Sequence, residues 1–232
     1  FELPSEEFLA NLLDFAKNLG INTLDTAPAY GKSEERLGRL LKDERDDWII
    51  IGKAGEYFED GESRFDFSAE AIEKSVHDSL ACLDTDYIDA LLIHSDGNDL
   101  KILEDETLIK RLYDMKSQGI IKAHGISSKT VEGGKAGVDL LDCVMAAYNP
   151  SYMNELPVLE KAEKANKGIL LKKALASGHV ETFKDKDKDQ YPVLETLNNA
   201  FSQPAVASVI IGSITPDHIR SNVEKASKIF SS

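Results

Sequence analysis

Four side chains of this sequence could together exchange a proton with a substrate. Asp25, Lys53 and His94 each end a short apolar run, and Tyr30 follows the first of them by five positions. An ammonium group beside a phenol favours the phenolate, so Lys53, paired with Asp25, would bring proton exchange by Tyr30 closer to neutral pH. A histidine at the same place can orient or polarise a substrate oxygen. The set is suited to protonating an alkoxide that forms when hydride reaches a carbonyl.

The runs that end on three of these residues are typical of buried parallel strands. They occupy about 21–25, 48–53 and 87–94, are rich in Ile and Leu, and lack helical spacing. If they are neighbours in one parallel sheet, their carboxyl ends open at the same edge. The sequence therefore predicts that the ionisable side chains meet there.

The whole chain alternates helices with strands. Strands are expected at about 21–25, 48–53, 87–94, 120–126, 142–148, 168–173 and 207–212. Helices are expected at about 5–19, 33–42, 68–82, 104–118, 153–166, 192–202 and 216–229, with a weaker one near 130–134. Repeated αβ units of this kind imply either a doubly wound sheet or a (β/α)8 barrel.

Two observations favour the (β/α)8 TIM barrel. Ionisable side chains end three successive strands, and neither a Gly-x-Gly-x-x-Gly nor a Walker-type phosphate loop follows any strand. A closed barrel of this class has eight strands, whereas seven are recognised here, and an open sheet would carry edges that invite aggregation. We therefore expect a single barrel domain over residues 1–232 whose first strand precedes Phe1.

Composition and charge exclude several classes of protein. The formal net charge of −14 argues against nucleic-acid or membrane partners, since phosphate contacts need basic stripes. Cys82 and Cys143 lack metal-ligand spacing and predict free thiols rather than a metal site. No apolar stretch approaches a membrane span and no signal peptide is visible. A cytoplasmic protein is expected, although a targeting segment ahead of Phe1 stays open because the sequence lacks an initiator Met.

Three segments resemble the aldo-keto reductase family. Residues 20–38, which contain Asp25-Thr26-Ala27-Pro28-Ala29-Tyr30-Gly31, are similar to the family signature. Residues 84–94 and 119–127 resemble two further family segments, and the likeness extends over 5–230. It implies a (β/α)8 barrel that reduces aldehydes and ketones to alcohols with NADPH, less often NADH. The implied substrate is a small-molecule carbonyl compound.

The resemblance assigns a role to each of the four side chains. It makes Tyr30 the general acid, with Lys53 and Asp25 lowering its pKa. It makes His94 the residue that positions the carbonyl. Each of the four also has an ordinary structural interpretation as a cap, strand end, core histidine or loop aromatic.

The resemblance also implies cofactor contacts. Around the nicotinamide these are Asp25, Ser127, Ser128, Met145, Lys172 and Lys173. Around the adenosine and 2′-phosphate they are Gly212, Ser213, Ile214, Thr215, His218, Ser221 and Asn222. The family pattern has Asn at 128, Gln at 145, often Tyr at 172, and Arg at 218. Because the expected arginine falls on His218, with Arg220 nearby, the preference between NADPH and NADH stays open. Independently of the family, Thr215 as N-cap and Pro216 as first helical residue predict a helix N-terminus able to hold an anion.

Two other functions are consistent with the same residues. One is a nucleotide-binding regulatory or structural barrel of this family with little or no turnover, which Met145 and Lys172 favour. The other is an aldolase-like barrel with Lys53 as a Schiff-base nucleophile, which leaves Tyr30 without a role. Outside the candidate site, the alternating charges at 184–189 predict an exposed loop.

Overall fold

The computed structural model describes residues 3–175 and 193–231, and the charged segment 184–189 lies outside them. The helices are α1 (Glu6–Asn18), α2 (Ser33–Leu41), α3 (Ala69–Leu83), α4 (Asp99–Leu103), α5 (Glu106–Ser117), α6 (Val131–Leu140), α7 (Leu156–Lys164), α8 (Val193–Phe201) and α9 (Pro216–Phe230). The strands are β1 (Thr23–Asp25), β2 (Ile49–Ala54), β3 (Glu56–Glu59), β4 (Glu62–Phe65), β5 (Ile88–His94), β6 (Ile121–Ser127), β7 (Cys143–Ala147), β8 (Gly168–Lys172) and β9 (Val206–Val209). None of the helices described is both long and apolar enough to cross a membrane.

The chain divides into two compact units. We call Asn22–Met145 the middle unit, and Phe1–Ile21 together with Ala146–Ser232 the terminal unit. The single barrel domain and the strand ahead of Phe1 stay predictions.

The middle unit is built on parallel strands. β1 pairs with β2, β2 with β5, β5 with β6, and β6 with β7. The strand centres are apolar and fully buried, as Ile50, Leu92 and Ile126 illustrate. Because the strands run in the same direction, their carboxyl ends lie at one edge, as the sequence predicts.

The terminal unit contains a second parallel pair. β8 pairs with β9, with Leu171 opposite Val209. Helix α9 contacts both α8 and α1. Aromatic contacts support this packing: the ring of Phe230 lies 5.0 Å from that of Phe201, and the Arg220 guanidinium lies 4.9 Å from the ring centroid of Phe15.

All the predicted strands are present, with ends that differ by up to three residues. The predicted helix at 104–118 corresponds to α5, and sequence reasoning missed the short helix α4 that precedes it. The two helices are separate because the Asp105 carboxylate accepts the backbone N–H groups of Thr107 and Leu108 and so starts α5 afresh.

The weak helix predicted near 130–134 is a full ten-residue helix, α6. Its glycines reflect close packing against α4. A Cβ on Gly133 would lie 2.0 Å from the Cβ of Asp99.

Sequence reasoning missed the antiparallel hairpin of β3 and β4. Asp60 and Gly61 form its turn with φ of 52° and 84°. An Asp-Gly pair with positive φ at both positions is a strong signal for a tight hairpin. The charged residues around it obscured the strand pattern.

The close contact of α2 with α3 at Gly38 predicts that replacing this glycine by alanine lowers stability, although alanine is usually the better helix former. A Cβ on Gly38 in α2 would lie 2.2 Å from the carbonyl oxygen of Cys82 and 2.8 Å from the carbonyl carbon of Leu83. In a helix interior, alanine is normally more stabilising than glycine by about 1 kcal/mol. Because the obstacles are backbone atoms of α3, we expect Gly38→Ala to lower the free energy of unfolding by about 1–3 kcal/mol in urea denaturation.

Gly212→Ala is the matched control for this substitution. A Cβ at Gly212 would meet no described atom within 4 Å. Its free energy of unfolding should change by less than about 0.5 kcal/mol. Equal stability of the two variants would refute close α2–α3 packing at Gly38.

Candidate active site

An ion pair between two strand ends forms the centre of the candidate site. Asp25 is the last residue of β1, and Lys53 lies near the end of β2. The Lys53 ammonium donates to Asp25 Oδ1 at 2.5 Å and to the carbonyl oxygen of Thr26 at 3.3 Å. Burial lowers the pKa of Lys53, an effect that Asp25, Glu34 and Glu56 oppose. The predicted pairing of Asp25 with Lys53 is confirmed.

Tyr30 lies beside this pair, in the 3-10 turn Pro28–Tyr30 that follows β1. The Lys53 ammonium is 4.9 Å from the centroid of the Tyr30 ring, so it faces the aromatic ring. Burial raises the pKa of the Tyr30 phenol to about 12, with further contributions from Asp25 and Glu56. The net direction is opposite to the predicted one, because burial and two carboxylates disfavour the phenolate.

His94 ends β5 and contacts both Tyr30 and a residue that sequence reasoning missed. Its ring lies edge-on to the Tyr30 ring, with centroids 6.1 Å apart. Its Nδ1 lies 2.7 Å from Glu56 Oε2 on β3. The other carboxylate oxygen of Glu56 accepts a hydrogen bond from Ser63 Oγ at 2.6 Å. Recognising the Asp-Gly turn would have placed Glu56 on a hairpin, but its contact with His94 is tertiary.

Glu34 is a second missed residue near Lys53. It lies in the first turn of α2, is only 5% exposed, and accepts a hydrogen bond from Ser79 Oγ on α3 at 3.2 Å. No hydrogen-bond partner in the described part of the chain reaches its Oε1. Burial raises the pKa of Glu34 to about 7, against the opposing effects of Ser79 and Lys53. Glu34 is therefore mainly a neutral acid below that pH.

Besides Asp25, three residues implied for the nicotinamide lie in the middle unit. Ser127 ends β6 directly opposite His94 in the strand register, and Met145 of β7 is opposite Ser127. Ser127, Ser128 and Met145 are all buried. Strand register thus brings a hydroxyl and an apolar thioether next to the end of β5.

The remaining cofactor residues of the prediction lie in the terminal unit. Lys172 ends β8, and the left-handed Lys173 follows with φ of 58°. The predicted strand 207–212 ends earlier, at Val209, so Gly212 and Ser213 lie in the loop before α9. Ile210 N donates to the Leu171 carbonyl at 2.8 Å and keeps that loop beside β8.

Helix α9 begins at Pro216 as predicted, but Thr215 does not cap it with its side chain. Instead, the Thr215 N–H donates to Ser213 Oγ at 3.3 Å. The predicted N-cap position of Thr215 is confirmed, whereas the capping hydrogen bond expected of its side chain is not formed. Three residues implied for the adenosine end lie on α9, namely His218, Ser221 and Asn222, and Ile214 in the loop before it is exposed.

An ammonium held by a carboxylate, in contact with a tyrosine at the ends of parallel strands, defines a site for proton exchange on an α/β fold. The model of the Aldo/keto reductase family matches residues 2–200. The chain belongs to this family and is an oxidoreductase.

Individual relatives agree with this assignment. A solved structure described as an aldo-keto reductase of Pseudomonas aeruginosa is 46% identical, with a TM-score of 0.90 over 98% of this chain and 85% of that chain. An uncharacterized oxidoreductase of Bacillus subtilis is 32% identical over 93% of this chain and 81% of that protein. L-galactose dehydrogenase of Arabidopsis thaliana is 34% identical over 70% of this chain and 54% of that protein.

The buried Glu34 predicts a characteristic pH dependence of stability. Its pKa is raised in the folded state from 4.5 to about 7. The folded protein therefore binds the proton more tightly than the unfolded chain, and this contribution is complete below about pH 4.5 and lost as pH rises through about 7. Relative to Glu34→Gln, the wild type should lose up to about 3 kcal/mol of unfolding free energy between pH 4.5 and 8.5.

Urea denaturation of both proteins across this pH range measures the difference. Any packing change in Glu34→Gln adds a constant offset, whereas the titration changes the difference with pH. Glu35→Gln, which removes an exposed carboxylate on the same helix, is the control and should follow the wild type. A difference between wild type and Glu34→Gln that stays constant with pH would refute the neutral buried acid.

Proposed function

We propose that this protein reduces aldehydes or ketones to alcohols with NADPH or NADH, and that Tyr30 is the general acid. One observation carries the proposal. The Lys53 ammonium contacts Asp25 at 2.5 Å and lies 4.9 Å from the Tyr30 ring centroid, while the His94 ring lies edge-on to the same tyrosine. An acid, a fixed positive charge and an imidazole are thereby within reach of one substrate oxygen.

Tyr30 must hold a proton to act as a general acid, although the raised pKa makes it a weaker acid than a free tyrosine. With a pKa of about 12, the phenol keeps its proton at neutral pH. A developing alkoxide is a stronger base than this phenolate, so the proton moves only once the carbonyl carbon is being reduced. Lys53, held by Asp25, then stabilises the phenolate that is left. His94 positions the carbonyl oxygen.

The chain's own donors fit an anionic dinucleotide. The cofactor supplies the hydride when bound. In the middle unit, Asp25 and the hydroxyl groups of Ser127 and Ser128 are assigned to its carboxamide end, beside the buried Met145.

The terminal unit offers backbone N–H groups at the start of α9, which the Thr215 side chain leaves uncapped. The further contacts assigned there are Lys172, Lys173, Gly212, Ser213, Ile214, Thr215, His218, Ser221 and Asn222. Arg220 adds a cation on the same turn, where it donates to Asp217 at 3.3 Å. Either NADPH or NADH is compatible with this set.

The substrate is proposed to be a small carbonyl compound. One relative is named for a sugar, L-galactose. The substrate panel should therefore include aldoses beside simple aldehydes and ketones.

A family member that binds nucleotide but turns over little or no substrate is the second candidate. The feature that favours it is Met145, a buried thioether at the register position next to Ser127. A thioether is a poor partner for a carboxamide. Cofactor binding without turnover on any carbonyl would establish this candidate instead.

Replacing the acid tests the main proposal. We expect Tyr30→Phe to lower kcat for carbonyl reduction by at least about 100-fold, because the proton donor is lost. The dissociation constants of NADPH and NADH, titrated by fluorescence, should change less than about threefold because the ring remains. Tyr113→Phe removes an exposed phenol on α5 and should keep the wild-type rate. A Tyr30→Phe variant with the wild-type rate would disprove the assignment of the acid.

Trapping with borohydride tests the Schiff-base alternative. The Lys53 nitrogen is held by Asp25 at 2.5 Å as a hydrogen-bond donor, which disfavours nucleophilic attack. We therefore expect no substrate-dependent mass increase on Lys53 after reduction, with Lys53→Met as the blank. A labelled Lys53 peptide would support the aldolase-like function.

A further inference from the structure

The carboxylate of Glu56 faces a ring nitrogen of His94. We propose that Glu56 is a positioning residue that holds a proton on Nδ1 of His94, so that Nε2 accepts a hydrogen bond when His94 is neutral and donates one only when it is charged. This inference deepens the proposed function and rests on it for its kinetic consequence. The state of the imidazole itself can be measured without turnover.

The charge of the carboxylate favours a proton on the facing nitrogen. Nδ1 of His94 and Oε2 of Glu56 are 2.7 Å apart, a close charge contact rather than an aligned hydrogen bond, and a carboxylate at that distance favours a protonated nitrogen over a lone pair. A carboxyl group is ordinarily the stronger acid of the two, with a reference pKa of about 4.3 against about 6.5 for histidine. The proton therefore belongs on Nδ1.

Ser63 strengthens this assignment. Its hydroxyl donates to Oε1 of Glu56 at 2.6 Å. A hydrogen bond donated to a carboxylate favours the charged form. Glu56 thus accepts a hydrogen bond from Ser63 through Oε1, while its Oε2 faces Nδ1 of His94.

The hairpin that carries Glu56 is fixed in place at several points. The Tyr57 hydroxyl donates to the Ala71 carbonyl on α3 at 3.2 Å. Gly55, with φ of 101°, packs so closely on Phe67 that a Cβ there would lie 2.7 Å from its ring. Strand β3 also contacts the turn that carries Tyr30. The position of Glu56 relative to both site residues is thus set by the fold.

Among the charged and titratable groups around His94, Glu56 is the one that decides the proton state of the imidazole. Tyr30 faces it from the 3-10 turn and is neutral at pH 7, given its pKa of about 12. Lys53, on the neighbouring strand, opposes a charged imidazole, but Asp25 compensates its charge at 2.5 Å. Ser127, its register partner on β6, carries no charge.

The proton state of His94 is consequently linked to the direction of the reaction, namely reduction of a carbonyl or oxidation of an alcohol. A substrate carbonyl needs a donor, which Nε2 becomes only in the imidazolium form. An alcohol needs an acceptor, which Nε2 becomes in the neutral form. Glu56 stabilises the charged ring and should extend carbonyl reduction to higher pH.

Nitrogen NMR of ¹⁵N-histidine-labelled protein tests the proposal directly. The His94 signals are assigned by their loss in His94→Gln. We expect wild-type His94, when neutral, to carry its proton on Nδ1, and its titration midpoint to fall by about one pH unit or more in Glu56→Gln. Glu59→Gln removes an exposed carboxylate from the same strand and should leave both properties unchanged. A neutral wild-type ring with its proton on Nε2, or an unchanged midpoint in Glu56→Gln, overturns the proposal.

Ser63→Ala keeps the carboxylate and removes only its hydrogen bond, so it covers the case in which Glu56→Gln misfolds. Its His94 midpoint should fall by a smaller amount, and an unchanged midpoint would contradict the role of Ser63. In kinetics, the high-pH limb of kcat/KM for reduction should move to lower pH in Glu56→Gln by the same amount as the midpoint. If the high-pH limb of kcat/KM does not move in Glu56→Gln, the link between the proton state of His94 and the direction of the reaction is overturned. If no carbonyl is reduced at all, the proposed function fails, while the NMR result still decides the role of Glu56.

Discussion

The buried ammonium of Lys53 is the constraint on which the rest of the site depends. A charge 2% exposed is costly unless nearby groups replace its water. Asp25 and the Thr26 carbonyl do this, and both are available because β1 and β2 are parallel, with Asp25 opposite Ile51. The register of two strands therefore decides whether the ammonium is tolerated. Because Tyr30 follows in the next turn of chain, the same register places the phenol against the ammonium.

The carboxylates around the Lys53 ammonium differ in their contacts and in their effects on pKa. Asp25 pairs with it directly, whereas Glu34, which is buried and accepts a hydrogen bond from Ser79, has its pKa raised to about 7. Glu56 raises the pKa of Tyr30 and approaches His94. Carboxylates thus outnumber the ammonium around the phenol. The phenol consequently retains its proton at neutral pH.

The parallel strands and the four ionisable side chains were predictable because both depend on local pattern: apolar runs end on charged residues, and parallel strands align their ends. The sign of the Tyr30 pKa change was not, since it depends on how far burial outweighs a cation, which only packing determines. The burial of Glu34 was not predictable from the sequence either. Its burial follows from the close approach of α2 and α3 at Gly38, a contact between helices that no spacing within α2 announces. The N-cap position of Thr215 was predictable from its residue type, but its side chain makes no capping hydrogen bond, and its backbone N–H donates to Ser213 Oγ.

Glu56 differs from these because its element lies outside the parallel sheet. The β3–β4 hairpin forms a two-stranded sheet of its own, inserted between β2 and α3. A strand end within a parallel sheet is fixed by neighbours on both sides, so Lys53 and His94 cannot change place without disturbing the core. A hairpin insertion is free of that restriction and can bring a carboxylate to an existing imidazole. In this chain, Asp25, Lys53 and His94 lie on the sheet, Tyr30 lies in the turn after β1, and the carboxylate that faces His94 lies on the insertion.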